Sequence, residues 1–530
     1  MARRSLGVLA VLMAMSVVIG ACSGDDDDGG DAADRSDQSD GSGADAGGGG
    51  DAEREIPGDD VRRPTVRGPL TEGAQAGPFI AMPAELAERY HYDEREYLLE
   101  GEATSYAVDG EQGGDGRWSV SEADSAPYVT RILVRAPSDP EAFDGTVFVE
   151  WLNVSAGIDA DAGFGLAYDE ILREGSAWVG VSAQSAGIEG GGALSIPGIE
   201  LQGLKDWDPE RYGELSHPGD QYSYDIFSQA AQALWRPDEV GIDVLDGLRP
   251  THVIATGESQ SAARMVTYVN AVQPVARIYD GFLVHSRGGS GAPLDDGSSV
   301  LGDIGPVNIR TDLDQPVLQF ETETDLFGVL GFHPARQDDS DTVRTWEVAG
   351  TAHADQATLD YRSGAGLTEG FGGLGSAAGG DPSDPGGLGA LCGSINQGPQ
   401  GLVLRAAVHA LRAWVVEGTP PPESPRLEVD GDAIARDDRG IALGGIRTAA
   451  VDAPTAVLTG ESDADSIICV LFGGTTPFDA ATLAELYPTH DDYVAAVTEA
   501  TDAAVTAGFV LEPDAEKVVE AATDADIPPG

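Results

Sequence analysis

Thr251-His-Val-Ile-Ala-Thr-Gly-Glu-Ser-Gln-Ser-Ala-Ala-Arg-Met-Val-Thr-Tyr-Val-Asn270 joins an apolar run, Val253 to Ala255, to Gly257-Glu-Ser-Gln-Ser261 and then to a small-residue run at helical spacing, Ala262, Ala263, Val266 and Val269. Apolar strand, sharp turn, helix is the context that a nucleophile elbow requires. Ser259 stands at the apex. A turn this tight holds the serine hydroxyl up and exposed, and the helix that follows points its first N–H groups at negative charge formed nearby.

Outward from that stretch, apolar runs alternate with helical patterns. Upstream, Tyr97 to Tyr106 and Tyr128 to Arg135 alternate in polarity like half-buried strands at the antiparallel edge of a larger sheet. Gly145 to Asn153 and Ala177 to Ser182 read as buried strands, with a helix carrying Tyr168 to Leu172 between them. A helix over Tyr224 to Leu234, the elbow strand Thr251 to Thr256, a helix over Ser261 to Val272 and a strand over Tyr279 to His285 come next. Strands Pro316 to Thr322 and Arg344 to Ala349 and a helix Gly401 to Val416 complete the pattern. Strands separated by crossover helices predict an α/β fold: a mostly parallel central sheet, helices on both faces, and a site beyond the carboxyl ends of the strands.

A serine nucleophile needs a base of suitable pKa within reach, oriented by an acid. Of the eight histidines, His353 follows the strand Arg344-Thr-Trp-Glu-Val-Ala349 by a short loop and is delivered to the elbow's edge of the sheet. His285 also ends a strand, and it and Glu258 are read as supports behind the reacting side chains. Pro316-Val-Leu-Gln-Phe-Glu-Thr-Glu-Thr-Asp325 offers Glu321, Glu323 and Asp325, taken as sharing one strand face; Asp325, farthest into the loop, is the favoured acid and Glu323 the alternative.

The order Ser259, Asp325, His353 with a G-x-S-x elbow resembles the α/β-hydrolase superfamily. More narrowly, the chain is similar to a bacterial group of exported alpha/beta hydrolase domain proteins. That likeness rests on Val149-Glu-Trp-Leu-Asn-Val-Ser155, Trp207-Asp-Pro-Glu-Arg-Tyr212, His217-Pro-Gly-Asp220, Gly257-Glu-Ser-Gln-Ser261, Gly350-Thr-Ala-His-Ala-Asp355, Gly444-Gly-Ile-Arg447 and Leu486-Tyr-Pro488. The superfamily pattern also aligns Asp325 as the acid. Two departures stand out: Ser261 replaces the elbow's usual last glycine, and Thr322 the glycine before the acid. No His-Gly-Gly-Gly run follows the third strand, so the oxyanion hole is expected from the backbone N–H of Gln260 plus one from the Asn153-Val154-Ser155 turn.

The hydrolase domain is expected over 66–425, with lid-like insertions at 184–224 and 358–396 whose aromatics Trp207, Tyr212 and Tyr222 either line a pocket or pack under a loop. A C-terminal subregion, 426–530, packs on it, with a strand or hairpin at Gly440 to Thr448 and helices at Asp479 to Leu486, Asp491 to Thr506 and Glu516 to Thr523. At the other end, Arg3 and Arg4 precede an apolar run, Leu6 to Ile19, that ends Ile19-Gly20-Ala21-Cys22. This is a signal-peptide pattern, and its end resembles a bacterial lipobox with Cys22 as the lipidated residue of an exported protein, anchored at the outer face of the cell membrane or secreted. Residues 23–65, rich in Gly and Asp, read as an extended acidic tether.

The remaining cysteines, Cys392 and Cys469, are an even pair in an oxidising setting, which favours a disulfide; no spacing gives a zinc signature, and neither metal nor cofactor is expected. With 31 Lys+Arg against 90 Asp+Glu, the charge of -59 repels nucleic acid and anionic membrane, so contact with membrane is expected only through a lipid on Cys22. The expected activity is a serine hydrolase acting on a small-molecule carboxylic ester through an acyl-enzyme. An acyltransferase with the same triad, or an inert surface binding lipoprotein, is the alternative.

Overall fold

A computed structural model describes residues 56–192, 201–295, 304–364, 392–462, 464 and 466–529. The expected leader with Cys22, most of the tether and the middles of both insertions lie outside the described residues.

Strands β1 (Thr65–Arg67), β2 (Tyr92–Val108) and β3 (Val120–Pro137) form the antiparallel edge. The strands expected through the middle of the chain become β4 (Thr146–Trp151), β5 (Ala177–Val181), β6 (His252–Glu258), β7 (Gly281–His285), β8 (Val317–Thr322) and β9 (Val343–Val348). All belong to one nine-stranded sheet of order β1-β2-β3-β5-β4-β6-β7-β8-β9, parallel from β5 to β9. Strands covered on both faces need apolar side chains at odd and even positions alike. On β4, Val147, Val149 and Trp151 join the core that holds Tyr224, Phe227, Met265 and Val266, from the helices Ser223–Trp235 and Gln260–Thr267. Phe148 and Leu152 join the opposite core with Phe164, Leu404 and Val408, from the helices Ala162–Arg173 and Gln400–Glu417.

Several boundaries differ from the sequence reading. The packed chain begins before residue 66: Val61 is buried, and Gln232 Nε2 donates to the carbonyls of Gly58 (3.0 Å) and Val61 (3.2 Å). One apolar residue and two captured carbonyls leave no periodic trace. The helix after the elbow is α-helical over Gln260–Thr267 and continues as a π-helix over Tyr268–Val272. Gly440 to Thr448 makes only isolated bridges, among them Ile446 beside Val348 at the β9 edge. Carboxylates Glu323 and Asp325 do not share a strand face with Glu321, because β8 stops at Thr322 and a helical turn, Glu323–Leu326, begins there.

A disulfide joins Cys392 to Cys469, S–S 2.07 Å. Trp207 and Tyr212 pack with Phe79, and the Tyr212 hydroxyl donates to Glu96 (2.7 Å), so both rings serve packing at the β2–β3 edge. Among the described residues no helix is long and apolar enough to cross a membrane.

Strand β3 carries two fully buried arginines. Arg131 pairs with Glu96 (3.0 Å) and Asp159 (2.9 Å). Arg135 pairs with Glu94 (2.7 Å) and Asp161 (2.8 Å), donates to the Ile80 carbonyl (2.6 Å), and lies over the rings of Phe164 and Trp178 at 4.3 and 4.4 Å. Removing one partner of such a pair strands a charge in a dry interior. Arg135→Ala is therefore expected to destabilise the protein by about 3–5 kcal/mol in chemical denaturation. Arg95→Ala, which breaks the partly exposed pairs to Asp93 and Asp246 and a contact with Tyr97, should cost about 1 kcal/mol.

Candidate active site

At the end of β6 the chain turns through Ser259 with φ 59° and ψ -116°, a left-handed backbone that only a well-braced non-glycine residue keeps. A Cβ on Gly257 would lie 2.8 Å from the Ser261 carbonyl oxygen and 2.9 Å from Met265 Cγ, so glycine is needed for the helix to fold back on the strand. The Ser259 N–H donates to the His285 carbonyl (2.9 Å), tying the apex to β7. Ser261, in the place of the superfamily's glycine, is fully buried and donates its hydroxyl to the Leu152 carbonyl (3.2 Å) at the end of β4. The extra side chain is absorbed by a hydrogen bond.

Strand β9 ends at Val348, and the loop carries His353 over the elbow: Nε2 lies 2.8 Å from Ser259 Oγ, and Nδ1 2.7 Å from Asp325 Oδ1. An ionised carboxylate only accepts, so Nδ1 carries the proton and Nε2 of the neutral ring is free to accept from the serine. Asp325 Oδ2 accepts from the Thr322 N–H (2.6 Å) and hydroxyl (2.7 Å), a capping box that leaves Oδ1 for the histidine. The His353 N–H donates to Thr324 Oγ1 (3.2 Å), and its carbonyl accepts from Gln400 Nε2 (3.3 Å). Burial pulls the imidazole pKa down, but the Asp325 and Glu258 carboxylates outweigh it and the net shift is upward.

Glu323 points elsewhere. Its oxygens accept from the Gly350 N–H (2.6 Å) and Gly460 N–H (3.1 Å) and pair with Arg436 (2.7 Å), clamping the β9 loop to the C-terminal region. Glu321 is fully buried, and burial together with the nearby Asp325 charge drives its carboxyl well up toward the protonated form.

Glu258 is nearly buried beside the serine, with Oε1 3.3 Å from His353 Nε2. Asn153 Nδ2 donates to the Glu258 carbonyl (3.1 Å) and to its Oε2 (3.0 Å). The Asn153 N–H is spent on the Ala160 carbonyl (2.9 Å) and the Ser155 N–H on Asn153 Oδ1 (2.9 Å). Asn153 is thus corrected from oxyanion donor to brace, because the turn after β4 closes on its own backbone. Among the described residues Val154 has the one N–H of that turn not committed in this way, and Gln260 lies at the first turn of its helix, where N–H groups have no partner within the helix. The Gln260 side chain donates to Gln184 Oε1 (2.8 Å).

His285 is fully buried, edge-on to Phe320 at 5.2 Å and 3.2 Å from Gln400 Nε2. Burial pushes its pKa down to about 3. Thr324 and Gln400 did not emerge from the sequence reading, and Thr322 appeared there only as a departure from the usual glycine, although Thr322-Glu-Thr-Asp325 is itself a capping-box pattern. Away from this edge, Glu170, Glu174 and His409 offer ligand atoms within 4.8 Å of one another. Arg173 and Arg412 pair with these carboxylates, so the group reads as an ion-pair network between two helices.

A mostly parallel sheet with a serine-bearing elbow between strand and helix defines the α/β-hydrolase fold, and with it the class of hydrolases. A family model described as "Alpha/beta hydrolase domain" matches residues 66–520, and the chain belongs to that family. No curated protein matches it. Among solved structures it is similar to the esterase Est22, at 12% identity over 55% of this chain and 83% of that one, TM-score 0.28. It is also similar to XC6422 from Xanthomonas campestris, an a/b serine hydrolase without lid, at 10% identity over 46% and 83%, TM-score 0.25. A fungal esterase from Rhizomucor miehei shows 11% identity over 51% and 82%, TM-score 0.24.

The low pKa of His285 has a measurable consequence. Its ring resonances should stay flat in an NMR titration from about pH 8 to 5, since the native ring takes no proton there while the unfolded ring does below about 6.5. The contribution of this one ring to stability should correspondingly fall as pH drops below that value.

Proposed function

We propose that this hydrolase is a serine hydrolase cleaving a small carboxylic ester through an acyl-enzyme on Ser259. One observation carries the reading: the unbroken line from Ser259 Oγ through both nitrogens of His353 to Asp325, at 2.8 and 2.7 Å, drawn from the ends of three different strands. In this reading His353 Nε2 takes the hydroxyl proton as Oγ attacks the ester carbonyl. The N–H groups of Gln260 and Val154 receive the oxyanion. Collapse expels the alcohol, which takes the proton from His353, and a water deprotonated by the same nitrogen releases the acid. Asp325 holds the ring and compensates its charge. Glu323, committed to Arg436 and two N–H groups, supports the loop instead.

The upward shift of His353 sets the pH behaviour: its neutral, proton-accepting form is gained only above a raised pKa, so ester turnover should climb with an acid limb above about 6.5. A fluorophosphonate probe tests the nucleophile, with labelling expected for the natural protein and lost in Ser259→Ala; labelling of neither would overturn the reading. On chromogenic esters of graded acyl length, Asp325→Asn should lower kcat by about 10³–10⁴-fold. Glu323→Gln should lower the melting temperature while keeping most of kcat, and the reverse pattern would exchange the two roles. We also propose that the chain is exported and held to the outer face of the membrane by a lipid on Cys22, through the acidic tether. Cys22→Ala should then move the protein from the membrane fraction to the soluble one.

A further inference from the structure

We propose that Glu258 acts as a second carboxylate for His353, stabilising its imidazolium from the Nε2 side while Asp325 does so from Nδ1. The inference rests on the triad reading above and goes beyond it, since a triad uses one acid. Glu258 Oε1 lies 3.3 Å from Nε2 in a nearly buried setting. Its position is braced rather than incidental: Asn153 Nδ2 grips both the Glu258 carbonyl (3.1 Å) and Oε2 (3.0 Å), and Oε1 is the oxygen beside the ring. Asn153 is itself fixed by its N–H on Ala160 and its Oδ1 under the Ser155 N–H.

The geometry makes the contact selective for one protonation state. While His353 is neutral, Nε2 carries a lone pair directed at the serine hydroxyl, and a carboxylate oxygen beside it gains nothing. Once the serine proton has moved, Nε2–H is a charged donor with Ser259 Oγ and Glu258 Oε1 both in range. An interaction that strengthens only as the proton moves lowers the barrier for that step instead of merely tightening the resting site. The proton passes from Ser259 Oγ to His353 Nε2 and on to the leaving alcohol; Glu258 keeps its charge throughout.

The groups facing the ring are Asp325 from the turn after β8, Glu258 from the end of β6, and His285 from β7, which burial keeps uncharged. Two anions thus stand against one imidazole, and the upward shift of His353 includes the Glu258 charge among its causes.

Glu258→Gln keeps the shape and removes the charge. The acid limb of its kcat/KM profile should move to lower pH by about one unit, with a lower plateau. Glu258→Asp, which restores the charge one methylene short, should bring the limb back toward its original position. Asn153→Ala, which frees the carboxylate, should shift the limb in the same direction as Glu258→Gln but less. A purely structural role would lower the plateau and leave the limb in place, and coincident limbs in Glu258→Gln and the natural protein overturn the proposal. An NMR titration of the His353 ring in the resting protein reads the same shift without turnover. It decides on Glu258 even if no ester is cleaved, a result that would sink the triad reading alone.

Discussion

The left-handed backbone at Ser259 is the constraint on which the site depends. Such a conformation costs about 1–3 kcal/mol in a non-glycine residue and persists only where its surroundings over-determine it. Here the bracing comes from every side. β6 is buried between two cores, the Ser259 N–H is held by the His285 carbonyl, and the missing side chain at Gly257 lets the next helix return over the strand. Ser261 then fastens that helix to Leu152. The result is a hydroxyl lifted off the sheet edge toward His353, with the first turn of a helix behind it.

Around that hydroxyl, four carboxyl groups of nearly identical intrinsic chemistry have been given different tasks by their partners. Asp325 has one oxygen occupied by the Thr322 cap and the other by the histidine. Glu323, two residues earlier, faces across the turn into Arg436 and two backbone N–H groups. Glu321 sits inside the sheet, where burial drives it toward neutrality. Glu258 is braced by Asn153 with one oxygen on the far side of the imidazole. A charge survives in a poorly solvated edge only where donors meet it, so the placement of N–H groups and arginines assigns the roles.

The same economy of cations shapes the rest of the molecule. With 31 basic residues against 90 acidic ones, several arginines are nevertheless committed to the interior: Arg131, Arg135, Arg264 and Arg287 are all buried. Arg131 and Arg135 neutralise carboxylates that fix the chain preceding β2 and the loop after β4. Each of these two arginines carries two carboxylates inward with it, and the outer surface still keeps a large acidic excess, which favours solubility and opposes anionic partners.

Much of this architecture could be read from residues in order. Runs such as Val253 to Ala255 and Val147 to Val149 are apolar at odd and even positions, which suits a strand covered on both faces. Gly257 and Ser259 mark the elbow because a tight strand-to-helix turn tolerates few residues, and His353 follows a strand end by a countable number of positions. Other features had no local signature. Residues Asp325 and Glu323 stand two apart, and only the capping turn after Thr322 and the distant Arg436 separate them. Asn153 was legible as a turn residue, but that its N–H is closed onto Ala160 while its amide holds Glu258 depends on strands that meet only in space. Local sequence thus determined which elements form and where the reactive side chains can stand, since these follow from periodicity and backbone sterics. The tertiary structure decided which carboxylate faces which nitrogen, because that choice is made by donors contributed from remote parts of the chain.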